Sequence, residues 1–353
     1  MTNIMIMAGG TGGHVFPALA VAEVLKQRGA NVEWMGTAKG IEARLVPEAG
    51  YPLNFISVQG LRGNGLMGWL MAPFKLIKAV SEAMGALKRH QADMVLGLGG
   101  FASGPGGVAA WLLRKPVIIH EQNAIPGLTN KLLAKLAKHI LQGFPKSFAH
   151  AEWVGNPVRE SIAALPEPTE RVSNKPTNLL VLGGSLGAKA LNIHLPQALK
   201  ICALQQAIVV KHQCGQKHID DCQQQYQQAG VDAEILPFID DMAAAYQWAD
   251  IVVCRAGALT VAELSAAGVA SVLVPYPYAV DDHQTQNAES LLNVGAAVLM
   301  PEAKLTAQTL ADELLSLTKE PETLYKMATA ARTQAKPEAA QTIADKCMAV
   351  CHG

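Results

Sequence analysis

The sequence predicts an α/β protein with two parallel-sheet domains of the nucleotide-binding type, facing one another across a shared cleft. Residues 3–14 and residues 179–188 both run from an apolar strand pattern through a glycine cluster into a helical pattern. A chain of 353 residues also exceeds what one hydrophobic core usually supports. Each glycine turn would present backbone N–H groups and a helix N-terminus at the carboxyl edge of a sheet, so we expect two anion sites.

Composition narrows the functional class. Half of the residues are apolar, 16% are charged and the formal net charge is zero, which argues against a nucleic-acid-binding protein. The longest apolar run, residues 66–74, is shorter than the roughly 20 residues that span a bilayer. The N-terminus shows no secretion signal, so a cytoplasmic location is expected. The six cysteines form no CxxC pair, which favours reduced thiols and no metal site.

The first glycine cluster, residues 9–14, opens a βαβ pattern. A helical stripe over residues 15–28 follows it, and residues 32–35 are predicted to form the second strand. This opening raises the alternative of a nicotinamide-dependent oxidoreductase, with Glu33 placed to hold a ribose. The cluster lacks the G-x-G-x-x-G order, however, and neither glycine cluster ends in the GK[ST] of a P-loop. A nucleotide diphosphate and a lipid diphosphate therefore both remain open as ligands.

Residues 60–78 are unusually apolar for a helix of a soluble protein. Their only charged side chains are Arg62, Lys75 and Lys78. An apolar surface with a cationic edge is typical of a helix that lies in a membrane interface, although a buried helix would explain the same pattern. Trp111, Arg114 and Lys115 could extend this surface, which cannot cross a bilayer but could rest on one.

A second glycine-rich loop, residues 97–105, again follows a strand pattern and suggests a concave site lined by backbone donors. The next strand, residues 116–119, ends in the polar run His120, Glu121, Gln122 and Asn123. Open α/β sheets bind their ligands at the carboxyl ends of the strands, so this run is a candidate site. A helix cap or loop contact is the alternative role for Glu121.

The second half begins after a proline-rich hinge, with four prolines in residues 157–176. Strand patterns then alternate with helical ones, as in a parallel sheet covered by helices, at residues 179–182, 207–211, 233–236, 251–254 and 270–274. Helical patterns at residues 307–317, 324–335 and 337–350 close the chain.

Two polar segments of this half are candidate ligand contacts. Residues 255–263 turn at Gly257 into a helix whose first N–H groups could bind a diphosphate, and Glu263 could accept from ribose hydroxyls. Residues 281–287 begin another helix and could contact sugar hydroxyls, or could simply cap that helix.

These motifs together resemble those of the MurG family of GT-B glycosyltransferases, which add N-acetylglucosamine to undecaprenyl-diphosphate-MurNAc-pentapeptide (lipid I) in bacterial peptidoglycan synthesis. The resemblance runs nearly the full chain, with matching motifs at residues 9–14, 97–104, 120–123, 155–159, 183–188, 255–263 and 282–284. Several unusual motifs in one order are far more specific than a single glycine pattern.

The resemblance implies a domain arrangement. The GT-B fold has two Rossmann-like domains facing across a cleft. By position, residues 1–157 would form the acceptor-binding and membrane-facing domain, and residues 158–336 the domain that binds the UDP-sugar. The last helix, residues 337–353, would pack back on the first domain.

The resemblance also implies binding roles by position. Thr11, Gly12 and Gly13 would line the cleft near the donor, and Asn123 and Gln284 would hydrogen-bond the donor sugar. Arg159 and Ser185 would serve the diphosphate, and the backbone of Ile239 would read uracil. Diphosphate and ribose would be held by Ala258, Leu259, Thr260, Val261, Ala262 and Glu263. The first two glycine loops, with His14, would receive the diphosphate and sugar of the acceptor.

The implied reaction is an inverting β-1,4 transfer, in which the MurNAc 4-hydroxyl attacks the anomeric carbon of UDP-N-acetylglucosamine. His14 and Glu121 are the candidate bases, and His14 is preferred because imidazole titrates near cytoplasmic pH. An acceptor-binding hydrogen bond without proton transfer is the alternative role for His14. Helix N-termini and Arg159 would stabilise the departing UDP, so neither a metal nor a cofactor is expected.

The expected partners are therefore UDP-N-acetylglucosamine, lipid I and an anionic membrane surface contacted through residues 60–78. The enzyme would be peripheral, at the cytoplasmic face of the plasma membrane, where cell-wall synthesis proteins are further candidate partners. A UDP-N-acetylglucosamine 2-epimerase is the alternative function, since it would share the donor site but handle no lipid.

Overall fold

The computed structural model describes residues 2–58, 65–169, 176–184 and 187–352. The chain divides into two compact units, and each contains one sheet. Unit 1 consists of Met1–Arg159 together with Lys336–Gly353, and unit 2 consists of Glu160–Ala335.

The strands are β1 (Asn3–Ala8), β2 (Asn31–Gly36), β3 (Leu53–Phe55), β4 (Met94–Gly99), β5 (Val117–Glu121), β6 (His139–Gln142), β7 (Glu152–Trp153), β8 (Thr177–Leu182), β9 (Ile208–Gln213), β10 (Glu234–Leu236), β11 (Ile251–Cys254), β12 (Ala270–Leu273) and β13 (Ala297–Leu299). The α-helices are α1 (Gly12–Gln27), α2 (Glu42–Glu48), α3 (Gly65–Arg89), α4 (Ser103–Leu112), α5 (Leu128–Leu133), α6 (Glu160–Ala163), α7 (Lys189–Cys202), α8 (Ile219–Ala229), α9 (Met242–Trp248), α10 (Ala258–Ala267), α11 (His283–Leu292), α12 (Ala307–Thr318), α13 (Pro321–Thr333) and α14 (Ala339–His352).

Sheet A of unit 1 has the strand order β3-β2-β1-β4-β5-β6-β7, and sheet B of unit 2 has the order β10-β9-β8-β11-β12-β13. The paired strands of both sheets run parallel. This confirms the predicted α/β class and gives each unit a Rossmann-like sheet. The strand order reverses between β1 and β4 in sheet A and between β8 and β11 in sheet B, and such switch points are where doubly wound sheets bind ligands.

Sheet A is covered by helices on both faces. Successive residues of β1 point to opposite faces of the sheet, and both sets are buried. Ile4 and Ile6 join one buried cluster, which includes residues of α1 and α14, whereas Met5 and Met7 join another, which includes residues of α3 and α4. This explains why β1 is apolar along nearly its whole length instead of alternating with polar residues.

The C-terminal helix α14 belongs to unit 1. Ile343, Ala344 and Cys347 are buried in the same cluster as residues of α1. An ion pair joins Lys346 Nζ to a carboxylate oxygen of Glu152 at 2.8 Å. The chain thus leaves unit 1 after Arg159 and returns to it at Lys336.

In unit 2, one face of sheet B is covered by α7 and α12. Leu179 and Val181 of β8 share a buried cluster with Leu191 of α7 and with Leu310 and Leu314 of α12. The Cα partners Ile251↔Leu179 and Cys254↔Leu182 align the carboxyl ends of β8 and β11. The loops that follow these two strands therefore begin side by side.

Helix α3 is longer than the apolar segment that the sequence analysis singled out. Its C-terminal half packs into unit 1, where Ala79, Ala83, Ala86 and Leu87 are buried. The turns before this half carry exposed apolar side chains, including Phe74 and Ile77. Within the described residues, no helix combines the length and the apolar character needed to cross a membrane.

Candidate active site

The first glycine loop leads from β1 into α1 at the carboxyl edge of sheet A. Helix α1 begins at Gly12, and its N-cap residue Thr11 makes no side-chain capping bond. Thr11 and Gly13 are exposed, and Gly12 is half-buried. The first-turn N–H groups of an uncapped helix have no intrahelical acceptor, so this edge can still bind an acceptor group of a ligand.

Glu42 lies directly behind this loop, and sequence reasoning missed it. Its Oε2 accepts a hydrogen bond from the backbone N–H of Gly10 at 2.8 Å. Its Oε1 accepts from the backbone N–H and the hydroxyl of Thr37 at 3.0 and 2.7 Å. The side chain is fully buried. Burial alone would raise the pKa of Glu42, but these hydrogen bonds outweigh it and hold the pKa below its usual value.

Three glycines make room for this carboxylate. A Cβ at Gly9, Gly36 or Gly40 would collide with the Glu42 side chain. The Gly10 N–H, which the glycine pattern had suggested for an anionic ligand, is therefore bound to the protein's own anion. The first glycine loop therefore serves in part to bind and make room for the Glu42 carboxylate.

His14, on the first turn of α1, lies against Gln122 and Gly99. Its Nδ1 lies 3.2 Å from Oε1 of Gln122, which follows β5. A Cβ at Gly99 would lie 2.8 Å from Nδ1 and Cε1 of the imidazole, so only glycine at that position leaves space for the ring. The next residue, Gly100, has a left-handed backbone with φ +88°, and a Cβ there would collide with the backbone of Gly9. The second glycine loop thus packs against the first.

Glu121 is almost fully buried and its carboxylate is saturated with donors. Its Oε1 accepts from the backbone N–H and the side-chain amide of Asn123 at 2.9 and 3.3 Å. Its Oε2 accepts from the backbone N–H of Gly127 at 3.1 Å and from the side-chain amide of Asn130 at 2.9 Å. These four bonds organise the loop between β5 and α5 and match the loop-contact role considered above.

Asn123 and Arg159 both belong to unit 1. Asn123 is half-buried, and its backbone carbonyl accepts from the Ser147 hydroxyl at 2.9 Å. The guanidinium of Arg159 lies over the ring of Phe16, with its Cζ 5.9 Å from the ring centroid. Arg159 is thereby placed beside α1, the helix that carries His14.

The third glycine loop follows β8 in unit 2. Gly184 and Gly187 both have φ +77°, and a Cβ at Gly187 would collide with the carbonyl of Cys214. The amide of Gln213 bonds to this loop twice, accepting from Gly184 N at 3.2 Å and donating to Gly184 O at 2.9 Å. Ser185, expected at the diphosphate, lies outside the described residues.

Helix α10 starts beside this loop, after β11. Gly257 is its N-cap residue and makes no side-chain capping bond, so the first-turn N–H groups, which belong to Ala258, Leu259 and Thr260, have no side-chain cap. Val261 and Ala262 continue the helix. Glu263, one turn further, is buried, and its Oε2 accepts from the hydroxyl of Tyr246 at 3.0 Å. The tyrosine thus orients the carboxylate that the sequence had suggested for ribose.

Arg255 ties the carboxyl ends of neighbouring strands together. It donates to the carbonyls of Val274 and Pro275 at 3.1 and 3.2 Å, forms an ion pair with Glu302 and lies over the ring of Tyr276. The positive charge of Arg255 is therefore paired with the Glu302 carboxylate, next to the N-terminus of α10.

The remaining predicted contacts also lie on the carboxyl edge of sheet B. Ile239 is half-buried in the segment that follows β10. Gln284, in the first turn of α11, accepts from the backbone N–H of Tyr276 at 2.9 Å through its Oε1. This bond orients the side-chain amide nitrogen of Gln284 as its remaining donor group.

Comparison with known proteins assigns the chain to a family. The family models described as glycosyltransferase family 28 N-terminal domain and C-terminal domain match residues 4–142 and 178–343. The chain belongs to glycosyltransferase family 28. This confirms the resemblance on which the sequence analysis relied.

Curated relatives in family 28 match over nearly the whole chain. The proteins of Alkalilimnicola ehrlichii and Nitrosococcus oceani are 54% and 55% identical, covering 98% and 99% of this chain and the same shares of their own. Both are named UDP-N-acetylglucosamine–N-acetylmuramyl-(pentapeptide) pyrophosphoryl-undecaprenol N-acetylglucosamine transferase.

Solved structures agree with the family assignment. The crystal structure of Acinetobacter baumannii MurG superimposes with a TM-score of 0.87 at 44% identity, covering 99% of this chain and 100% of that one. The glycosyltransferase of kitacinnamycin, at 18% identity and a TM-score of 0.74, shares the fold. The family 28 chain therefore has the GT-B glycosyltransferase architecture.

The oxidoreductase alternative fails on the geometry of Glu33. This residue pairs with Met5 in mid-strand, away from the carboxyl end of β2 where a ribose would bind. Its carboxylate oxygens meet His90 Nδ1 at 3.0 Å and the Asn54 amide at 2.8 Å. The relatives named above are transferases, so the comparisons support a transferase rather than the epimerase alternative.

Three residues that support the candidate site were missed from the sequence: Glu42, Gln213 and Tyr246. Gln213 carried a usable signal, because it ends a strand pattern and a polar side chain there lies at the carboxyl edge of the sheet. Glu42 and Tyr246 bind Gly10 and Glu263, which lie 32 and 17 residues away in sequence, and no local pattern marks such partners.

Proposed function

We propose that this chain transfers N-acetylglucosamine from UDP-N-acetylglucosamine to the MurNAc 4-hydroxyl of lipid I, producing lipid II for peptidoglycan synthesis. The observation that carries the proposal is the identity of 54–55% with relatives named for this transfer, across 98–99% of each chain. The site residues implied by the family lie on the carboxyl edges of two parallel sheets, where such folds bind ligands.

Unit 2 would bind the donor. The uncapped N-terminus of α10 supports a diphosphate site, because its N–H groups and helix dipole favour an anion. Glu263 would accept from the ribose hydroxyls while Tyr246 holds its other oxygen. The backbone at Ile239 would recognise uracil, and the amide of Gln284 would donate to the sugar. Ser185 is proposed at the diphosphate from the family motif alone.

Unit 1 would bind the acceptor and supply the base. Thr11, Gly12 and Gly13 would contact the substrates through the first turn of α1, and Arg159 would add positive charge near the diphosphate. The proposed donor-sugar contact of Asn123 comes from a residue whose amide is already oriented by Glu121.

The transfer balances as an in-line displacement. A bond forms between the acceptor oxygen and the anomeric carbon, while the bond from that carbon to the diphosphate oxygen breaks. UDP leaves with the electron pair, and Nε2 of His14 takes the hydroxyl proton. The N–H groups of α10 would stabilise the charge that develops on the departing UDP.

His14 is the better candidate for the base. The Glu121 carboxylate already accepts four hydrogen bonds and is buried, so a substrate hydroxyl would have to displace one of those donors. His14 is half-buried and uses Nδ1 in its contact with Gln122, which leaves Nε2 for the substrate. We therefore assign Glu121 the role of organising the loop that carries Asn123.

A membrane surface is the proposed partner of unit 1. In the described part of residues 60–78, Phe74 and Ile77 are each 67% exposed, and Lys75 and Lys78 are exposed beside them. Further apolar and cationic side chains are exposed on, or just after, α4 and α5, namely Trp111, Leu112, Arg114, Leu128, Lys131, Leu132 and Lys135. Exposed apolar side chains among lysines and arginines favour the interface of an anionic bilayer.

This surface would place the enzyme at the cytoplasmic face of the plasma membrane, where a lipid-linked acceptor is available. We name these exposed side chains together the apolar-cationic face: Phe74, Lys75, Ile77, Lys78, Trp111, Leu112, Arg114, Leu128, Lys131, Leu132 and Lys135. Cell-wall synthesis proteins remain candidate partners at the same membrane.

Release of UDP tests the activity and separates it from the epimerase alternative. The transferase should release UDP from UDP-N-acetylglucosamine in proportion to added lipid I analogue, and hardly at all without it. Release that is independent of the analogue, with N-acetylmannosamine as the product, would instead establish an epimerase. A thermal-shift titration adds a binding control: UDP-N-acetylglucosamine should raise the melting temperature by mass action, whereas NADH should not.

A further inference from the structure

Gln122 makes an unusual contact for a buried side chain. The residue is 1% exposed, and its Oε1 lies 3.2 Å from Nδ1 of His14. Its amide nitrogen Nε2 is buried and has no hydrogen-bond partner among the described residues. Within the described part of the chain, the Gln122 side chain thus makes one hydrogen bond, to His14.

A buried amide with an unsatisfied N–H group is costly for a fold, and a methionine or leucine would fill the same space without that cost. The Gln122 side chain therefore contributes little that stability alone would require. Its backbone is already secured, because its carbonyl accepts from the Asn156 side chain at 3.0 Å. The contact that the amide does make is with His14.

A carbonyl oxygen can only accept, so Nδ1 of His14 must donate to Oε1 and must carry the ring proton. In a neutral imidazole the other nitrogen, Nε2, then has the free lone pair. The reversed amide would present its nitrogen to Nδ1 and would move the ring proton to Nε2. The direction of one amide thus decides whether His14 can accept a proton from a hydroxyl.

We propose that Gln122 is a positioning residue that holds His14 as the Nδ1–H tautomer and so keeps Nε2 ready to take the proton of the acceptor hydroxyl. Gly99 is compatible with this arrangement, since a Cβ at that position would collide with the His14 ring. The inference rests on the proposed function for its use of Nε2, but the tautomer itself is a property of the substrate-free protein.

Nitrogen-15 NMR of the histidine rings tests it directly on the full chain. The His14 signals are assigned by their loss in His14→Gln. The wild type should show a protonated, pyrrole-type Nδ1 and an unprotonated, pyridine-type Nε2 at His14. In Gln122→Met, which keeps the volume but removes the acceptor, the proton should shift to Nε2 or exchange between the two nitrogens.

Activity provides the second readout. Gln122→Met should lower kcat for transfer to a lipid I analogue by ~10-fold or more, within the range that general-base help contributes, and should leave KM for UDP-N-acetylglucosamine within about twofold. Gln122→Glu restores an acceptor and should recover both the wild-type tautomer and most of kcat. A purely structural role would give no such recovery.

Gln142 offers a matched control. It is a buried glutamine on the neighbouring strand β6, and its amide bonds to the backbone of Ala151 and Phe148 instead of to a histidine. Gln142→Met should lower stability, yet should leave the His14 tautomer unchanged and kcat close to wild type.

The inference is overturned if wild-type His14 carries its proton on Nε2, or if Gln122→Met keeps both tautomer and kcat. The wild-type spectrum decides even if Gln122→Met does not fold. If the tautomer is as stated but His14→Gln transfers at the wild-type rate, the proposed base is wrong while the positioning contact stands. If His14→Gln is inactive but the tautomer is reversed, the inference alone falls.

Discussion

Glu121 and His14 are both candidate bases by sequence, but their hydrogen-bond partners differ. Both occupy polar positions at the ligand edge of sheet A, and residue type alone left both as candidate bases. The difference lies in the hydrogen bonds that Gly127 and Asn130 donate to Glu121, and in the contact of His14 Nδ1 with the Gln122 side-chain carbonyl oxygen; the positions of these partners depend on how the loops fold. At the scale of single residues, therefore, the sequence could nominate the chemistry but could not assign the roles.

Glu42 gives a test at this scale of how strongly a buried carboxylate supports the first glycine loop. Glu42→Ala should lower the free energy of unfolding by about 3 kcal/mol, because the Gly10 and Thr37 donors lose their acceptor and a cavity remains. Denaturation followed by tryptophan fluorescence is the measurement, since four of the five tryptophans lie in unit 1.

The matched control is on the same helix. Glu48 is exposed and forms an i,i+4 pair with Arg44, so Glu48→Ala should cost less than about 0.5 kcal/mol. Equal losses for the two variants would show that the buried contacts of Glu42 do not stabilise the loop.

His120 predicts how stability depends on pH. Burial lowers its pKa from 6.5 to about 4, although the hydrogen bond to the Gly155 carbonyl acts in the opposite direction. Between these values the unfolded chain binds a proton that the folded chain does not, so stability is complete above about pH 6.5 and falls as the pH drops toward 4. His120→Gln can keep the donor to Gly155 but does not titrate.

Between pH 7 and pH 5 the wild type should therefore lose about 2 kcal/mol more unfolding free energy than His120→Gln. Urea denaturation at the two pH values measures the difference. The exposed His150→Gln should retain the wild-type pH dependence. A wild-type dependence in His120→Gln would show that this histidine is not held neutral by burial.

At the scale of elements, the glycine loops use for the protein itself some of the N–H groups that their sequences suggested for a ligand, whereas the expectation for helix α10 stays a prediction. The loops attracted attention as anion sites, yet Gly10 and Gly184 donate their N–H groups to Glu42 and Gln213, and Gly99 and Gly100 are needed for close packing. The N-terminus of α10 follows the single Gly257, has no side-chain cap and lies one turn before the buried Glu263. Sequence reasoning found both kinds of segment but could not tell which N–H groups the protein itself would use.

Gly257→Asp tests whether the N-terminus of α10 binds the donor diphosphate. Gly257 has an ordinary extended backbone, and a Cβ there would approach Thr260 Oγ1 only to 3.7 Å, so the substitution fits. The new carboxylate should cap the helix and leave stability unchanged or higher by about 1 kcal/mol. It should also repel a diphosphate, raising KM for UDP-N-acetylglucosamine by ~10-fold or more.

Gly257→Ala is the control, because it adds the Cβ without the charge and should change KM little. Thermal unfolding and initial-rate kinetics provide the two readouts. A normal KM in a stably folded Gly257→Asp would mean that the diphosphate binds elsewhere.

Helix α3 has two parts that one sequence pattern did not separate. Its C-terminal half has a buried face, whereas Phe74 and Ile77 are exposed, so the buried interpretation describes only part of the helix and the interfacial one stays a prediction for the rest. The boundary could not be read from composition, because it depends on which residues of other elements pack against the helix.

Phe74→Asp with Ile77→Asp tests the apolar-cationic face. Removing two apolar side chains and adding two negative charges should lower sedimentation with anionic phospholipid vesicles by ~10-fold or more. Transfer to a soluble lipid I analogue should remain near wild type. Wild-type binding should also weaken as salt is added.

Leu204 supplies the matched control, since it is 85% exposed but lies in unit 2. Leu204→Asp should bind vesicles like the wild type. If the Phe74 and Ile77 double variant binds vesicles as well as Leu204→Asp does, the apolar-cationic face is not the membrane contact.

At the scale of the whole molecule, the fold class was predictable because it depends on repeated local patterns. The strand β11 matches its predicted bounds, since its apolar run is flanked by polar residues and a glycine turn, and β8 and β12 differ by only one or two residues at an end. The order of the strands was not readable from local pattern alone, because it depends on pairings such as β1 with β4 that are distant in sequence. The family resemblance supplied this level of organisation.

The most direct measurement is transfer of radiolabelled N-acetylglucosamine from UDP-N-acetylglucosamine to a lipid I analogue, followed across pH for the wild type, His14→Gln and Glu121→Gln. The account predicts a β-linked product from the wild type. It also predicts a loss of about 10²-fold or more in His14→Gln together with loss of the wild-type acid limb. Glu121→Gln should be slower but keep that limb. No transfer by the folded wild type, or an unchanged rate and pH profile in His14→Gln, would contradict it.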